Sequence, residues 1–310
     1  PSGDLENSRA LLEIRDALNR GEDTYCSPTC KHLKKRSNSP DESRRWYAGV
    51  LTSHGLSPDS DEFKDRLHAF VRGHLHVAGP LSVKISLGSN CNHRCTFCPI
   101  GSSSYQHWSQ EPAVFDYLAD NIASIRHLTL TGGEPLGLIG SVSSRFEALF
   151  SSQSSLELLS LQTNGALIDR QQELLRHEPR LALSVSMAGG TREAYAAVHR
   201  RDDFDKVVAN LTKLKHLRSE HSKATDITLK MVYTRSNFDT LPGLMEIAKA
   251  LGARKVLFHH VLFLAASDFD KREQPSETDD YWDQVVEMAN WGADEARRHG
   301  IDFEFRPLRS

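Results

Sequence analysis

Three cysteines stand within eight positions of the chain, at Cys91, Cys95 and Cys98 in the segment CNHRCTFC. The whole sequence of 310 residues contains only five cysteines, so the grouping suggests a chemical purpose. Thiolates are ligands of zinc and of iron–sulfur clusters, and a cubane cluster has four irons. Three protein thiolates leave one iron of such a cluster open to a small molecule. The spacing therefore predicts an iron–sulfur site with one open coordination position.

Two other interpretations of these cysteines stay open. A structural zinc would take Cys91, Cys95 and Cys98 with His93 or a distant residue as the fourth ligand. Such zinc sites usually have a second ligand pair downstream, and no cysteine follows Cys98. The other interpretation is three buried core cysteines that bind no metal.

The segment TGGEP at 131–135 is the second pattern that suggests chemistry. Gly132 and Gly133 carry no Cβ, so the backbone there can approach a ligand closely. The carboxylate of Glu134 is suited to pairing with an ammonium group. The alternative is a plain strand-to-helix turn, because glycine and proline mark turns.

The elements that position these residues alternate between short apolar runs and longer amphipathic ones. Six runs resemble strands, at 81–87, 127–133, 156–165, 180–187, 226–234 and 255–261. Helical patterns lie near 111–124, 141–152, 168–177, 203–219 and 240–251, and a long helix with a serine N-cap is expected over 276–300. IDFEF at 301–305 is expected to add a short strand. This alternation predicts an α/β fold with a parallel sheet, whose ligands bind at the carboxyl ends of the strands.

Residues 1–79 form a mainly helical and polar region ahead of this unit, which spans 80–310. One helical pattern there begins near Asn7, and two others cover 41–54 and 60–77. Hydrophobic residues make up 39% of the chain, charged residues 25%, and the net charge is −3, so no strongly basic nucleic-acid-binding surface is indicated. No apolar stretch reaches the roughly 18 residues of a transmembrane helix, and no signal peptide is evident. A cytoplasmic location is expected, where clustered cysteines favour metal binding over disulfides.

The spacing Cys-x3-Cys-x2-Cys, with Phe97 just before the last cysteine and TGGEP after the next strand, resembles the radical S-adenosylmethionine (SAM) enzymes. The similarity extends over residues 80 to about 306. It implies a partial (β/α)6 radical SAM barrel with an N-terminal mainly helical segment, a [4Fe–4S] cluster on the three clustered cysteines, and SAM on its open iron. One electron, from a donor such as flavodoxin or ferredoxin, would cleave SAM to a 5′-deoxyadenosyl radical that abstracts a hydrogen atom from the substrate.

The resemblance also implies roles around SAM. Glu134, with Gly132 and Gly133, would bind the SAM ammonium, and Phe97 would lie near the adenine. Arg200 would reach the SAM carboxylate, with Arg201 as its rival. Polar residues at the ends of the third and fourth strands would face the same mouth, namely Gln162, Thr163, Asn164, Ser184 and Ser186. Ala188 stands where many relatives have an aspartate.

Strands five and six add candidates for substrate chemistry. Lys230 lies on the fifth strand, and Asn237 follows its end. His259 and His260 end the sixth strand, and only one of them can face the barrel lumen because successive side chains alternate. That histidine is the candidate catalytic residue, to bind substrate or move a proton; the alternative is a histidine satisfied by packing.

A second cysteine pair, Cys26 and Cys30, is followed by His32. The sequence around it, at 6–30, resembles the tail of the auxiliary-cluster (SPASM) domain of some radical SAM enzymes, which normally follows the barrel. We expect a remnant with structural or exposed thiols rather than a metal site, and no hydrogen-atom donation by either thiol. Because the chain stops at FRPLRS, where such enzymes usually continue, a fragment of a longer protein is a further expectation.

The leading hypothesis is a radical SAM enzyme that acts on a peptide or a small molecule by cross-linking, epimerisation, dehydrogenation or rearrangement. RNA modification is one alternative, and the near-neutral charge makes it less favourable. A non-catalytic iron–sulfur scaffold or binding module is the other, but a scaffold has no use for the ammonium site that TGGEP implies. Neither a membrane nor a nucleic-acid partner is expected.

Overall fold

In the computed structural model of the protein, the described residues form one parallel sheet of seven strands in the order β1 to β7. The structure describes residues 9–19, 40–73, 79–101, 106–109, 111–140, 155–177, 180–261, 270–273 and 280–307. The strands are β1 (Ser82–Ser86), β2 (His127–Thr131), β3 (Leu158–Thr163), β4 (Arg180–Ser186), β5 (Ala224–Tyr233), β6 (Lys255–His260) and β7 (Asp302–Arg306). Each strand pairs with the next one along the chain. The six predicted strands and the short seventh are confirmed.

Helices precede the sheet and connect its strands. They are α1 (Arg9–Asn19), α2 (Pro40–Ser53), α3 (Asp61–Val71), α4 (Glu111–Asn121), α5 (Pro135–Gly140), α6 (Gln172–His177), α7 (Arg192–His199), α8 (Phe204–Glu220), α9 (Leu241–Leu251) and α10 (Asp280–Arg298). The helical patterns did not predict α5 and α7, which are short. The helix predicted at 141–152 and the N-cap Ser276 lie outside the described residues. None of the described helices is both long enough and apolar enough to span a membrane.

Alternation along the strands separates an apolar outer face from a polar inner face. In β4, Leu181, Leu183 and Val185 are buried in the same core as residues of α8 and α9. Ser184 and Ser186 are half-buried on the opposite face of that strand. Strands β2, β3 and β5 show the same alternation. The helices therefore cover the outer face, and the inner face, called the lumen below, carries the polar residues.

Helices α2 and α3 pack around a small apolar cluster of their own, formed by Leu51, Leu56 and Phe63. Ser60 caps α3 by accepting a hydrogen bond from the backbone N–H of Phe63 at 3.2 Å. Arg126, just before β2, joins α3 to the sheet because it pairs with Glu62 of α3 and with Glu157. The predicted boundary between 1–79 and 80–310 stays a prediction.

Candidate active site

The three clustered cysteines lie on the loop that follows β1, at the carboxyl edge of the sheet. All three thiols are free and half-buried. Main-chain hydrogen bonds hold this cysteine loop to the end of α7: the N–H of Thr96 donates to the carbonyl of Val198 at 2.9 Å, and that of Arg94 to the carbonyl of His199 at 3.4 Å. The loop therefore lies at the edge where the alternation of strands and helices predicts ligand binding.

The surroundings of the thiols keep them protonated until a cation neutralises their charge. Burial raises the pKa of Cys91 to about 11, and the negative charges of Glu134 and Cys98 add to this effect. Burial also raises the pKa of Cys95, and Cys98 and Cys91 lie close enough to raise it further. Thiolates that repel one another are stabilised together by a cation held between them. Three sulfur donors on one short loop thus fit a [4Fe–4S] cluster that takes three protein ligands.

Gly132 and Gly133 lie against the start of the cysteine loop. A Cβ on Gly132, which has a φ of +130°, would lie 2.4 Å from the carbonyl oxygen of Gly88, and a Cβ on Gly133 would lie 2.1 Å from that of Asn90. The N–H of Gly133 donates to Gly88 and the N–H of Glu134 to Asn90, each at 2.8 Å. The close approach that these glycines allow is therefore to the cysteine loop, and it sets the distance between Glu134 and the thiols.

Glu134 is buried and accepts hydrogen bonds from three donors. Oε1 accepts from the N–H of Leu136 at 3.1 Å and from the hydroxyl of Thr163 at 2.7 Å, and Oε2 accepts from the N–H of Asn164 at 2.7 Å. Burial raises the pKa of Glu134, and these hydrogen bonds oppose the rise. The carboxylate thus ties the end of β2 to the end of β3. Because a carboxylate has about four acceptor positions, one is left for a ligand.

Cys91 and Glu134 line one cavity of about 450 Å³, together with Asn90, Asn92 and three further residues. Small-molecule sites have volumes of roughly 300–1,000 Å³. Asn164 is buried beside it, and its Nδ2 donates to Oδ1 of Asn92 at 2.8 Å and lies 3.9 Å from the Cys91 sulfur. The structure therefore brings a cysteine and the carboxylate to the same cavity, and the amide of Asn164 contacts both.

The lumen carries aligned polar side chains from neighbouring strands. Gln162 is paired in register with Ser184, and Ser186 with Lys230. Lys230 is half-buried, and burial lowers its pKa, with a further contribution from Lys84 on β1. Among the residues that the structure describes, no carboxylate forms an ion pair with Lys230. The lumen therefore contains a partly desolvated cation beside the predicted SAM-binding strand.

Only one of the two neighbouring histidines of β6 faces the lumen, as alternation predicts. His259 is half-buried on the face of Lys230; burial lowers its pKa, and the charge of Lys230 adds to that effect. His260 is buried on the outer face, where its ring lies 6.2 Å from that of Tyr233. Burial lowers the pKa of His260 to about 4. The structure does not bring His260 to the candidate site, so the catalytic assignment rests on His259 alone.

Phe97 belongs to the cysteine loop, and Arg200 directly follows the last residue of α7. Phe97 is half-buried between Thr96 and Cys98. Arg200 is exposed and has a φ of +52°, a left-handed conformation that is uncommon outside glycine. Its charge lowers the pKa of Cys95, against the larger effect of burial. Arg201, its rival, is paired instead with Asp203 at 2.8 Å.

Two buried histidines beside the cysteines extend the predicted site. His199 was not predicted, and His93 was considered only as a zinc ligand. Nδ1 of His199 lies 3.1 Å from the Cys95 sulfur, and Nε2 of His93 lies 3.1 Å from Asp203. One atom each from His93, Cys95 and His199 falls within 4.8 Å of the others, a donor set that a single metal ion would also fit. His199 is 104 positions from Cys95, so no local pattern marks it. Cys26, Cys30 and His32 lie outside the described residues.

Comparison with known proteins agrees with this geometry. Residues 85–241 match the family described as the Radical SAM superfamily. The GTP 3',8-cyclase of Chlorobaculum tepidum is 27% identical over 169 residues, which cover 54% of this chain and 49% of that protein. The GTP 3',8-cyclase of Ectopseudomonas mendocina is 26% identical over 174 residues, covering 55% and 51%. The chain thus spans about half the length of the curated relatives it matches.

Solved structures share the fold. Streptococcus suis SuiB bound to S-adenosylmethionine has a TM-score of 0.56 and 15% identity, and the match covers 86% of this chain and 61% of that one. The protein anSMEcpe with bound AdoMet has a TM-score of 0.55 and 18% identity, with 72% and 64% covered. The partial barrel with an N-terminal helical segment is therefore confirmed.

Proposed function

Because the chain belongs to the radical SAM superfamily, we propose that it is a catalytic member whose Cys91, Cys95 and Cys98 hold the cluster and whose lumen binds a small anionic substrate. The protein is an enzyme of this superfamily and uses a [4Fe–4S] cluster and SAM. When bound, these cofactors supply one-electron cleavage of SAM and abstraction of a hydrogen atom from the substrate. The observation that carries the proposal is that Cys91 and Glu134 line one cavity and that Asn164 contacts both of them.

The chain's own residues hold and orient SAM beside the cysteines. The acceptor position of Glu134 that the described residues do not use would take the SAM ammonium, with a charge-assisted hydrogen bond. Its three donors keep the carboxylate rotamer fixed, so the ligand meets a preorganised oxygen. Phe97 at the adenine, Ser184 and Ser186 on the lumen, and Arg200 at the SAM carboxylate are the remaining proposed contacts.

Lumen charge supports an anionic substrate. A half-buried ammonium without a protein partner is stabilised by an anion that a ligand brings. Lys230 has no carboxylate partner among the residues that the structure describes, and its pairing in register with Ser186 supports an anion-binding position one strand from the proposed SAM contacts. His259 is neutral near pH 7 because burial lowers its pKa, so it can accept or donate a hydrogen bond to the same ligand. Two curated relatives are named for an enzyme of GTP, which makes GTP the first compound to test.

Iron content and SAM cleavage test the cofactor assignment. The anaerobically reconstituted protein is expected to hold about four irons per chain and, with dithionite, to convert SAM to 5′-deoxyadenosine. Cys91→Ala, Cys95→Ala and Cys98→Ala should each lose most of this iron. A colourless protein with stoichiometric zinc would contradict the assignment, and an intact cluster that never cleaves SAM would favour the scaffold. Flavodoxin or ferredoxin is the proposed physiological electron donor.

Substitution of Lys230 tests the substrate class. We expect GTP to increase 5′-deoxyadenosine formation, and Lys230→Met to raise the GTP concentration required by about 10- to 100-fold, the loss of one charge-assisted hydrogen bond. SAM affinity should stay unchanged. Lys213→Met, at an exposed lysine of α8, is the matched control. A Lys230→Met protein that binds SAM weakly but responds normally to GTP would move Lys230 to the SAM site.

The division of the chain into 1–79 and 80–310 is also a proposal. The separate apolar cluster of α2 and α3 supports it. The ion pairs of Arg126 with Glu62 and Glu157 would then join the helical region to the barrel.

A further inference from the structure

His199, the last residue of α7, is fully buried against the cysteine loop. Its Nδ1 lies 3.1 Å from the Cys95 sulfur. The donors near the Cys91 sulfur are longer, at 3.4 Å for the N–H of His93 and 3.9 Å for Nδ2 of Asn164. The contact of His199 is thus the shortest of these nitrogen–sulfur distances and involves a ring buried at the site.

The partners of the His199 ring indicate which nitrogen carries the proton. The N–H of Ala188 donates to Nε2 at 3.3 Å, so Nε2 is the acceptor and Nδ1 carries the hydrogen in a neutral ring. A cysteine that binds iron is a thiolate, which only accepts. With its sole proton on Nε2, the ring would turn a lone pair toward that sulfur, which is repulsive.

We propose that His199 is a positioning residue for the cluster: its Nδ1–H donates a hydrogen bond to the Cys95 sulfur and raises the cluster's reduction potential. The inference rests on the proposed function, because it requires Cys95 to be an iron ligand. Hydrogen bonds to cluster sulfurs are among the features that set iron–sulfur potentials. Reduction adds negative charge to the cluster, so a donor at its sulfur stabilises the reduced form more than the oxidised form. His199 would thereby ease the electron transfer that precedes SAM cleavage.

The side chain of His199 can be replaced without releasing the cysteine loop. The loop is held to α7 by main-chain bonds, from the N–H of Thr96 to Val198 and from the N–H of Arg94 to the carbonyl of His199. These bonds do not involve the imidazole. An effect on the potential is therefore separable from an effect on cluster retention.

The competing role for the same atoms is a metal ion held by His93, Cys95 and His199. In that arrangement His199 would be a ligand, and Cys95 would be lost to the cluster. The two roles predict different results when His199 is replaced. Replacing a metal ligand should release the metal, whereas replacing a hydrogen-bond donor should change only the reduction potential.

The test compares His199→Leu with His199→Asn in the reconstituted holoenzyme, by iron analysis and a redox titration followed by electron paramagnetic resonance. His199→Leu should keep its iron and lower the equilibrium constant for one-electron reduction about tenfold, which is about 59 mV. His199→Asn, whose amide nitrogen can reach the position of Nδ1, should restore most of the shift. Tyr195→Phe is the matched control, because its ring lies 4.2 Å from that of His199 and its hydroxyl has no partner among the described residues.

An unchanged potential in His199→Leu overturns the proposal. Loss of iron from folded His199→Leu and His199→Asn proteins to the level of Cys95→Ala also overturns it, because His199 is then a ligand. Electron–nuclear double resonance provides a check on the wild-type protein itself: an exchangeable proton coupled to the reduced cluster is expected in water and should be lost in heavy water. Absence of that proton refutes the hydrogen bond. Failure of the wild-type chain to take up any iron would instead refute the proposed function.

Discussion

Replacing Glu134 by glutamine tests the central feature of the site, a buried carboxylate that serves two strand ends. The substitution keeps the shape of the side chain but removes its charge and replaces one oxygen with an NH2 group. If the amide oxygen takes the place of Oε1, it keeps the hydrogen bonds from Leu136 and Thr163. The NH2 group then faces the N–H of Asn164, which donates to Oε2 at 2.7 Å in the wild type. One hydrogen bond is lost and a buried donor is left without an acceptor.

The expected magnitude follows from these contacts. A hydrogen bond to a charged group contributes roughly 1.5–3 kcal/mol, and an unsatisfied buried donor costs roughly 1–3 kcal/mol. Burial of the charge works in the other direction, because desolvation raises the pKa of Glu134 in spite of its donors, and the neutral glutamine avoids that cost. We expect a net loss of about 1–2 kcal/mol in the free energy of unfolding. The lost contact with the SAM ammonium should weaken SAM binding about 10- to 100-fold.

Anaerobic urea unfolding and calorimetric SAM titration of the holoenzyme measure the two effects, and iron content should stay near that of the wild type. Thr163→Val is the matched control, since it removes one of the hydrogen bonds to Glu134 but leaves the charge. That variant should lose about 1 kcal/mol of stability and keep SAM affinity. Wild-type stability in Glu134→Gln would refute the tie between strand ends, and wild-type SAM affinity would limit Glu134 to that structural role.

The remaining predictions concern the cysteine loop, pH and the second cysteine pair. Gly133→Ala should lower both iron content and stability, because its Cβ would lie 2.1 Å from the backbone oxygen of Asn90. Gly49→Ala is the control, since a Cβ there would have nothing within 4 Å and should lower neither iron content nor stability. Equal iron content in the two variants would contradict the close contact. The pKa of His260 is about 4 in the folded state, below its ordinary value of 6.5. Between these two pH values the folded state therefore binds fewer protons than the unfolded state. The free energy of unfolding should therefore fall as pH drops from about 6.5 toward 4, and urea unfolding of His260→Leu should show a flatter dependence; an identical pH profile would refute this. Cys26→Ala and Cys30→Ala should keep the cluster, SAM cleavage and product formation, and loss of solvent deuterium from the product of either variant would instead mark that thiol as a hydrogen donor.

Local sequence determined the elements and the chemical type of the site. Strand alternation and turn signals act within a few residues, so the predicted strands match β1 to β6 closely, and even the short β7 could be recognised. The spacing of Cys91, Cys95 and Cys98 is local in the same sense, because one loop carries all three thiols. Short helices were missed for a related reason: α5 and α7 contain too few turns for an apolar period to stand out.

Tertiary structure decided which of these residues meet. Alternation required one of His259 and His260 to face the lumen, but the contact of His260 with Tyr233 on the helix-covered face settled which. The contact between His199 and Cys95 joins residues 104 positions apart, and only the docking of α7 on the cysteine loop creates it. The packing of Gly133 against Asn90 likewise joins two separate loops, while its predicted contact with a ligand stays a prediction. Such juxtapositions arise when parallel strands bring their carboxyl ends to one edge, and no interaction between sequence neighbours encodes them.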